Sequence, residues 1–215
     1  LPTLLHIESS PRKKRSASIE VATSYMDAWR NAGPDRHVEV LDLWAAELPQ
    51  LDGDALEAKY ADLEGASLND AQKRAWDVFR QISQRLHNAD VLMFSVPMWN
   101  FSVPYKLKHF IDVVSHRGLL FSYDERGLTG LLTGKKAVVV YAKGLRYATD
   151  AATPAGMPDF QQPFLDAWLR FIGVTDIESI VVEKTLLGAQ TDRIGRQAAC
   201  ERAAAMAARE LERPC

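Results

Sequence analysis

The stretch Asp90-Val-Leu-Met-Phe-Ser-Val-Pro-Met-Trp-Asn-Phe-Ser-Val-Pro104, followed by Tyr105-Lys-Leu-Lys-His-Phe-Ile-Asp112, decides the fold. It reads as a buried strand ending at Pro97, an aromatic loop carrying one amide side chain, and a helix restarted by Pro104. In an open α/β sheet, ligands bind in loops at the carboxyl ends of the strands. The loop after this strand suits a flat ring.

Outward from that unit, apolar runs alternate with helical patterns. Thr3 to Ile7 fits a buried first strand, and Ser16 to Ala32 carries Ile19, Ala22, Tyr25, Met26 and Trp29 at helical spacing before Gly33-Pro34 stops it. His37 to Leu41 reads as a second strand with Val38 and Val40 on one face. A long connection, 42–68, contains Leu48-Pro49-Gln50-Leu51-Asp52-Gly53 and a short helix around Ala55 to Asp62; connections of this length tend to be binding loops or lids. Asn69-Asp70-Ala71-Gln72 has the capping-box form and opens a helix to Asn88. The third strand is Val91 to Ser95, and the helix after Pro104 turns Leu107, Phe110, Ile111 and Val114 to one side.

His116 to Thr133 reads as a second irregular stretch, with Phe121 and Tyr123 in it. Ala137 to Tyr141 is nearly all Val, as a central parallel strand covered on both sides should be. A further irregular segment, 143–158, leads to a helix from Pro158-Asp159 to Phe171, a fifth strand at Ile177 to Val182, and a last helix at Asp192 to Leu211. Five strands separated by helices imply one α/β domain over 1–215, with a parallel sheet in the flavodoxin-like order 2-1-3-4-5 and helices on both faces.

Composition limits the alternatives. In 215 residues, 26 Lys plus Arg against 28 Asp plus Glu give a formal charge of −2, so no basic field gathers nucleic acid. No apolar run approaches the roughly 20 residues of a membrane span, and Leu-Pro-Thr-Leu-Leu-His-Ile lacks a signal-peptide layout. A soluble, cytoplasmic protein is expected, with processing or trimming behind the absence of Met at position 1. Cys200 and Cys215 have no metal-ligand or disulfide spacing; Cys200 reads as helix packing and Cys215 as a mobile end. His109 and His116 are seven apart with no acidic or thiol partner to complete a metal set, and His6, His37 and His87 read as structural.

After the first strand, Ser9-Ser10-Pro11-Arg12-Lys13-Lys14-Arg15-Ser16-Ala17-Ser18 puts several hydroxyls beside a helix N-terminus. Backbone N–H groups, the helix dipole and serine hydroxyls together make a phosphate cradle, with four basic residues adding attraction for an anion. The plainer reading has Ser16 capping the helix and Arg12 to Arg15 as a solvated loop. Neither a Gly-x-Gly-x-x-Gly nor a Walker sequence is present. The Pro97 to Phe101 loop faces the same crevice in the assumed order, and Asn100 offers a donor and an acceptor to a ring edge. Its own plainer reading is core aromatics around a turn-forming Asn. Phosphate at one loop and ring at the other describe a mononucleotide.

Ser10, Ser16-Ala17-Ser18, the Pro97-to-Phe101 loop, Leu107-Lys108-His109-Phe110-Ile111-Asp112, Gly130-Leu131-Leu132-Thr133-Gly134-Lys135-Lys136-Ala137 and Phe171-Ile172-Gly173-Val174-Thr175-Asp176 occur in order over nearly the whole chain. In these the chain resembles the FMN-dependent NADH azoreductases and their quinone-reductase relatives. The resemblance implies a homodimer with noncovalent FMN and ping-pong, two-electron reduction of quinones or azo compounds by NADH or NADPH. It implies that Ser10, Ser16, Ala17 and Ser18 hold the FMN phosphate and that Met98, Trp99, Asn100 and Phe101 line the ring. Hydride passes through the flavin, so no protein nucleophile is implied.

By the same resemblance, Trp99 and Phe121 belong to the substrate pocket, Phe121 matching an aromatic that the partner subunit extends over the flavin. Two departures stand out. Trp99 replaces a common Tyr, and Ala142-Lys143-Gly144-Leu145 replaces Ser-Arg-Gly-Gly at a loop expected to contact FMN, where Leu145 takes positive φ less freely than Gly. A flavodoxin-like electron carrier and a flavin-binding regulatory protein are the competing readings; the long segments 42–68 and 116–133 favour an enzyme, because a carrier needs exposed ring edge rather than walls.

Overall fold

The computed structural model describes residues 1–64, 67–147 and 158–211; Cys215 and most of the irregular stretch 143–158 lie outside them. Five parallel strands form the central sheet: β1 (Thr3–Glu8), β2 (His37–Asp42), β3 (Val91–Pro97), β6 (Lys136–Ala142) and β7 (Asp176–Val182), in the order β2-β1-β3-β6-β7. Numbered among the sheet strands alone, this is 2-1-3-4-5. A separate antiparallel hairpin, β4 (Phe121–Asp124) and β5 (Gly127–Gly130), accounts for the different labels. It corrects the reading of 116–133 as wholly irregular.

Strand pleating sorts the core into two layers. Leu4, Met93, Val138, Val140 and Ile180 point to one face, where α1 (Ala17–Asn31) and α6 (Ala189–Leu211) contribute Val21, Tyr25, Trp29, Ala199 and Ala203. Leu5, Ile7, Leu92, Phe94 and Val139 point to the other, against α3 (Asp70–Asn88), α4 (Tyr105–Val114) and α5 (Gln161–Phe171), which supply Phe79, Phe110, Leu165 and Trp168. A fully buried side chain of this size contributes about 1.5–3 kcal/mol, so both faces hold the sheet firmly. The short α2 (Gly53–Glu64) lies in the long connection after β2 and begins two residues earlier than its sequence pattern suggests.

Local signals match the element ends. Asn69 caps α3 by accepting from the Gln72 N–H at 2.9 Å, and the Gln72 side chain accepts from the Asn69 N–H at 2.9 Å. The edge strand β2 departs from its pattern: Val40 is exposed, and Leu41 is the residue that enters the core. Cys200 is partly buried, packed against the α1/α6 layer. Below the sheet, Gly130 and Gly173 meet backbone to backbone; a Cβ on Gly130 would lie 2.1 Å from the Gly173 nitrogen. No helix among the described residues is long and apolar enough to cross a membrane.

Candidate active site

The loops after β1 and β3 stand side by side because their strands are neighbours, with β2 and β6 on opposite flanks. The first is pinned to the third strand by Ser9, whose hydroxyl donates to the Ser95 carbonyl at 2.7 Å. Ser10, Ser16 and Ser18 are all buried at the start of α1. Ser10 Oγ accepts from the Arg12 N–H at 3.4 Å, Ser16 Oγ accepts from the Ile19 N–H at 3.5 Å, and the Ser16 and Ser18 hydroxyls lie 3.1 Å apart. Ser10 Oγ accepts and so keeps its own proton to donate, while Ser16 and Ser18 share one hydroxyl proton between them and leave the other to donate. The first-turn N–H groups of Ala17 and Ser18 have no acceptor inside the helix. This donor set suits a phosphate at the positive end of α1.

Lys13 behaves differently from its neighbours. Its backbone is left-handed (φ 49°), and its ammonium lies 2.5 Å from both Glu8 and Asp42. Burial works against its charge, but Asp42 and Glu8 outweigh that and raise the Lys13 pKa. Asp42 is likewise opposed by burial and yet lowered, through Lys13 and the Trp44 N–H. The four-residue basic run is therefore reduced, at this site, to exposed Arg12, Lys14 and Arg15.

The loop after β3 makes a tight reversal. Trp99 and Ser102 exchange backbone hydrogen bonds at 2.9 and 3.0 Å around Asn100 (φ 47°) and Phe101 (φ 70°). Two central residues at positive φ mark a type I′ turn, in which Asn is at home and Phe is not. The left-handed region costs a side-chain-bearing residue about 1–2 kcal/mol, and such cost concentrates at functional sites. The Phe101 carbonyl accepts from the Phe160 N–H at 2.9 Å, and the Met98 N–H donates to the Ala142 carbonyl at 2.8 Å, so the turn is held at its tip and at the residue before it. Asn100 is exposed, free to meet a ligand.

Trp44, which the sequence reading passed over, joins the two loops. Its indole N–H donates to the Ser9 carbonyl at 3.0 Å, and its ring lies 5.8 Å from Trp99 and 5.4 Å from Tyr105. A lone Trp just after a predicted strand end is the only hint the sequence carries. Beside this aromatic group opens a cavity of about 630 Å³, lined by Leu51, Trp99, Asn100, Tyr105, His109 and Phe164. His109 is fixed there through the Pro49 carbonyl, 2.8 Å from its Nε2.

Other sequence-singled residues are placed as follows. Lys143 is buried, with its ammonium 2.5 Å from Asp159 and its N–H bonded to the Val182 carbonyl, so its side chain is engaged inside the protein. Gly144 lies under Leu186, and Leu145 is not among the residues at positive φ, so the loop 142–145 needs no second glycine. Phe121 is not brought to the crevice within one chain; its ring packs on Phe171, 4.8 Å away, at the amino-end side of the sheet. His109 and His116 are separated in role: His116 is buried between Phe79 and Trp76, 4.5 and 5.3 Å away. Burial first, and Lys59 second, lower its pKa to about 4. His6 is lowered to about 4 as well, by burial and then Arg30, and its Nε2 lies 3.0 Å from Ser95 Oγ.

A parallel five-stranded sheet with facing loops after β1 and β3 defines the flavodoxin-like class. Residues 2–207 match the model of a family described by its flavodoxin-like fold, and the chain belongs to that family. Among its relatives, FMN-dependent NADH:quinone oxidoreductase 3 of Pseudomonas fluorescens is 52% identical over 205 residues, covering 95% of each chain. FMN-dependent NADH:quinone oxidoreductase 9 of Burkholderia lata is 49% identical over 187 residues, 86% of this chain and 89% of that protein. In three dimensions, an azoreductase from Bacillus anthracis superposes with a TM-score of 0.86 at 24% identity, over 96% of this chain and 99% of that one. That likeness concerns the fold.

Proposed function

We propose that this chain is a single-domain, FMN-dependent oxidoreductase that uses NADH to reduce quinones by two electrons, with azo compounds as further acceptors. One observation carries the reading: serine hydroxyls at the N-terminus of α1 and a strained aromatic turn after β3 flank one crevice, joined through Trp44. Relatives of about half-identical sequence and near-complete mutual coverage are named for this chemistry.

In this reading Ser10, Ser16 and Ser18 donate hydroxyl protons to the FMN phosphate, and the free N–H groups of Ala17 and Ser18 complete the cradle. Met98 to Phe101 line the ring, with Asn100 addressing its polar edge. When bound, FMN would supply the redox chemistry, hydride uptake from NADH and transfer of two electrons to the acceptor. The chain's own task is positioning. The held Trp99–Ser102 turn needs little reorganisation on binding, and Trp99 with Tyr105 walls off water from one side of the crevice. The loop 142–145 contributes through its backbone, since Lys143 is committed to Asp159. A homodimer completes the pocket, bringing Phe121 of one subunit toward the site of the other. Dependence on NADH fits action in the cytoplasm, where that nucleotide is replenished.

Steady-state kinetics test this. With FMN present, NADH-dependent reduction of a benzoquinone should give parallel double-reciprocal lines, the mark of ping-pong exchange. FMN binding without NADH oxidation would favour an electron carrier or a regulatory flavoprotein instead.

A further inference from the structure

We propose that Lys13 is a positioning residue for the phosphate-binding loop, acting through its backbone conformation rather than as a cationic contact to the anion. The inference rests on the reading of the Ser10–Ser18 loop as an FMN phosphate site.

Three observations meet at this residue. Lys13 is one of four non-glycine residues at positive φ among the described residues (49°), a conformation that a side chain disfavours. Its ammonium bridges Glu8, at the end of β1, and Asp42, at the end of β2, so the side chain is anchored to the carboxyl edge of the sheet on the flank away from β3. Its carbonyl accepts the Ser16 N–H at 2.8 Å, and Ser16 is the residue whose hydroxyl caps α1 and meets Ser18. The ion pairs thus hold Lys13 in a backbone state that sets where Ser16 and the first turn of α1 present their donors. Strained backbone persists where surrounding contacts over-determine it, and two carboxylates on one ammonium do that here.

A direct electrostatic contact makes the opposite predictions. If Lys13 reached the phosphate, the Glu8 and Asp42 carboxylates would compete for it and repel the anion, so neutralising them would tighten binding. In the positioning account, neutralising them releases Lys13 from the left-handed state and weakens binding. Glycine separates the two again, since it adopts φ near 50° without a Cβ penalty and needs no ion pair.

The test measures FMN and riboflavin dissociation constants by flavin fluorescence on the full chain, with circular dichroism to confirm folding. Riboflavin lacks the phosphate and reports on the ring site alone. Lys13→Ala and the double variant Glu8→Gln/Asp42→Asn should each weaken FMN about five- to tenfold while changing riboflavin less than about twofold; Lys13→Gly should stay within about twofold of the parent for both. Tighter FMN binding in Glu8→Gln/Asp42→Asn, or a loss in Lys13→Gly as large as in Lys13→Ala, would overturn the positioning role. Equal losses for FMN and riboflavin would also overturn it, marking a general structural defect. If the parent chain fails to prefer FMN over riboflavin, the phosphate-site reading itself fails, a result distinct from all of these.

Discussion

The indole N–H of Trp44 donates to the carbonyl oxygen of Ser9 at 3.0 Å, so a residue following β2 fixes the backbone at the start of the loop following β1. The same indole leans on Trp99 of the β3 loop, which makes it the connector between the two halves of the crevice. Trp44→Phe keeps the ring contacts and removes the donor. A hydrogen bond of this kind contributes about 0.5–1.5 kcal/mol, so FMN affinity should fall about two- to tenfold with the fold unchanged. Fluorescence titration beside a circular dichroism spectrum checks this.

Asn100 combines two roles, a left-handed turn position and an exposed amide, which two substitutions separate. Asn100→Gly keeps the turn and loses the amide; Asn100→Ala loses both. Both should release FMN more readily, while only Asn100→Ala costs the FMN-free protein about 1 kcal/mol of unfolding free energy. Destabilisation by Asn100→Ala with undiminished flavin retention in Asn100→Gly would assign Asn100 to the turn alone. Trp99→Tyr should retain flavin and change the rate ratios across a panel of quinones and azo dyes.

His6 and His116 are both held neutral down to about pH 4, chiefly by burial. In the unfolded chain each takes up a proton near pH 6.5, so the unfolded state binds more protons between about 6.5 and 4. Stability should therefore be steady above about pH 6.5 in this respect and fall as pH drops through that window. His116→Phe suits the aromatic setting of Phe79 and Trp76 and removes one titrating group. Urea unfolding at several pH values should show its slope reduced by up to one proton, about 1.4 kcal/mol per pH unit.

The contact between Gly130 and Gly173 leaves no space for a methyl group, because the obstructing atoms are backbone: Gly173 N at 2.1 Å and Ile172 C at 2.3 Å from a Cβ. Gly130→Ala should cost about 3 kcal/mol and lower the melting temperature by roughly 6–12 °C. Gly134→Ala meets open space and bears only its positive φ of 77°, so a loss near 1 kcal/mol is expected.

The sheet was readable because its strands are continuous apolar runs, a pattern that doubly covered parallel strands require. The Asn69–Gln72 box marked α3 for the same local reason. The β4–β5 hairpin escaped because its four-residue strands are largely part-exposed or exposed and lack an apolar run. At the site, residue types were legible and directions were not. Lys13 showed its charge in the sequence, yet only the fold reveals that Glu8 and Asp42 claim it. Trp44 meets Ser9 across 35 positions, a separation no local pattern reports. The left-handed Asn100-Phe101 pair lacks the glycine that usually announces such a turn.

The central claim is that this crevice binds FMN and passes electrons from NADH to a quinone. Its most direct measurement is an anaerobic absorbance titration of the FMN-loaded protein. One equivalent of NADH per flavin should bleach the visible band, and one equivalent of benzoquinone should restore it. Protein that takes up no FMN, or bound FMN that NADH leaves unbleached, would contradict the account.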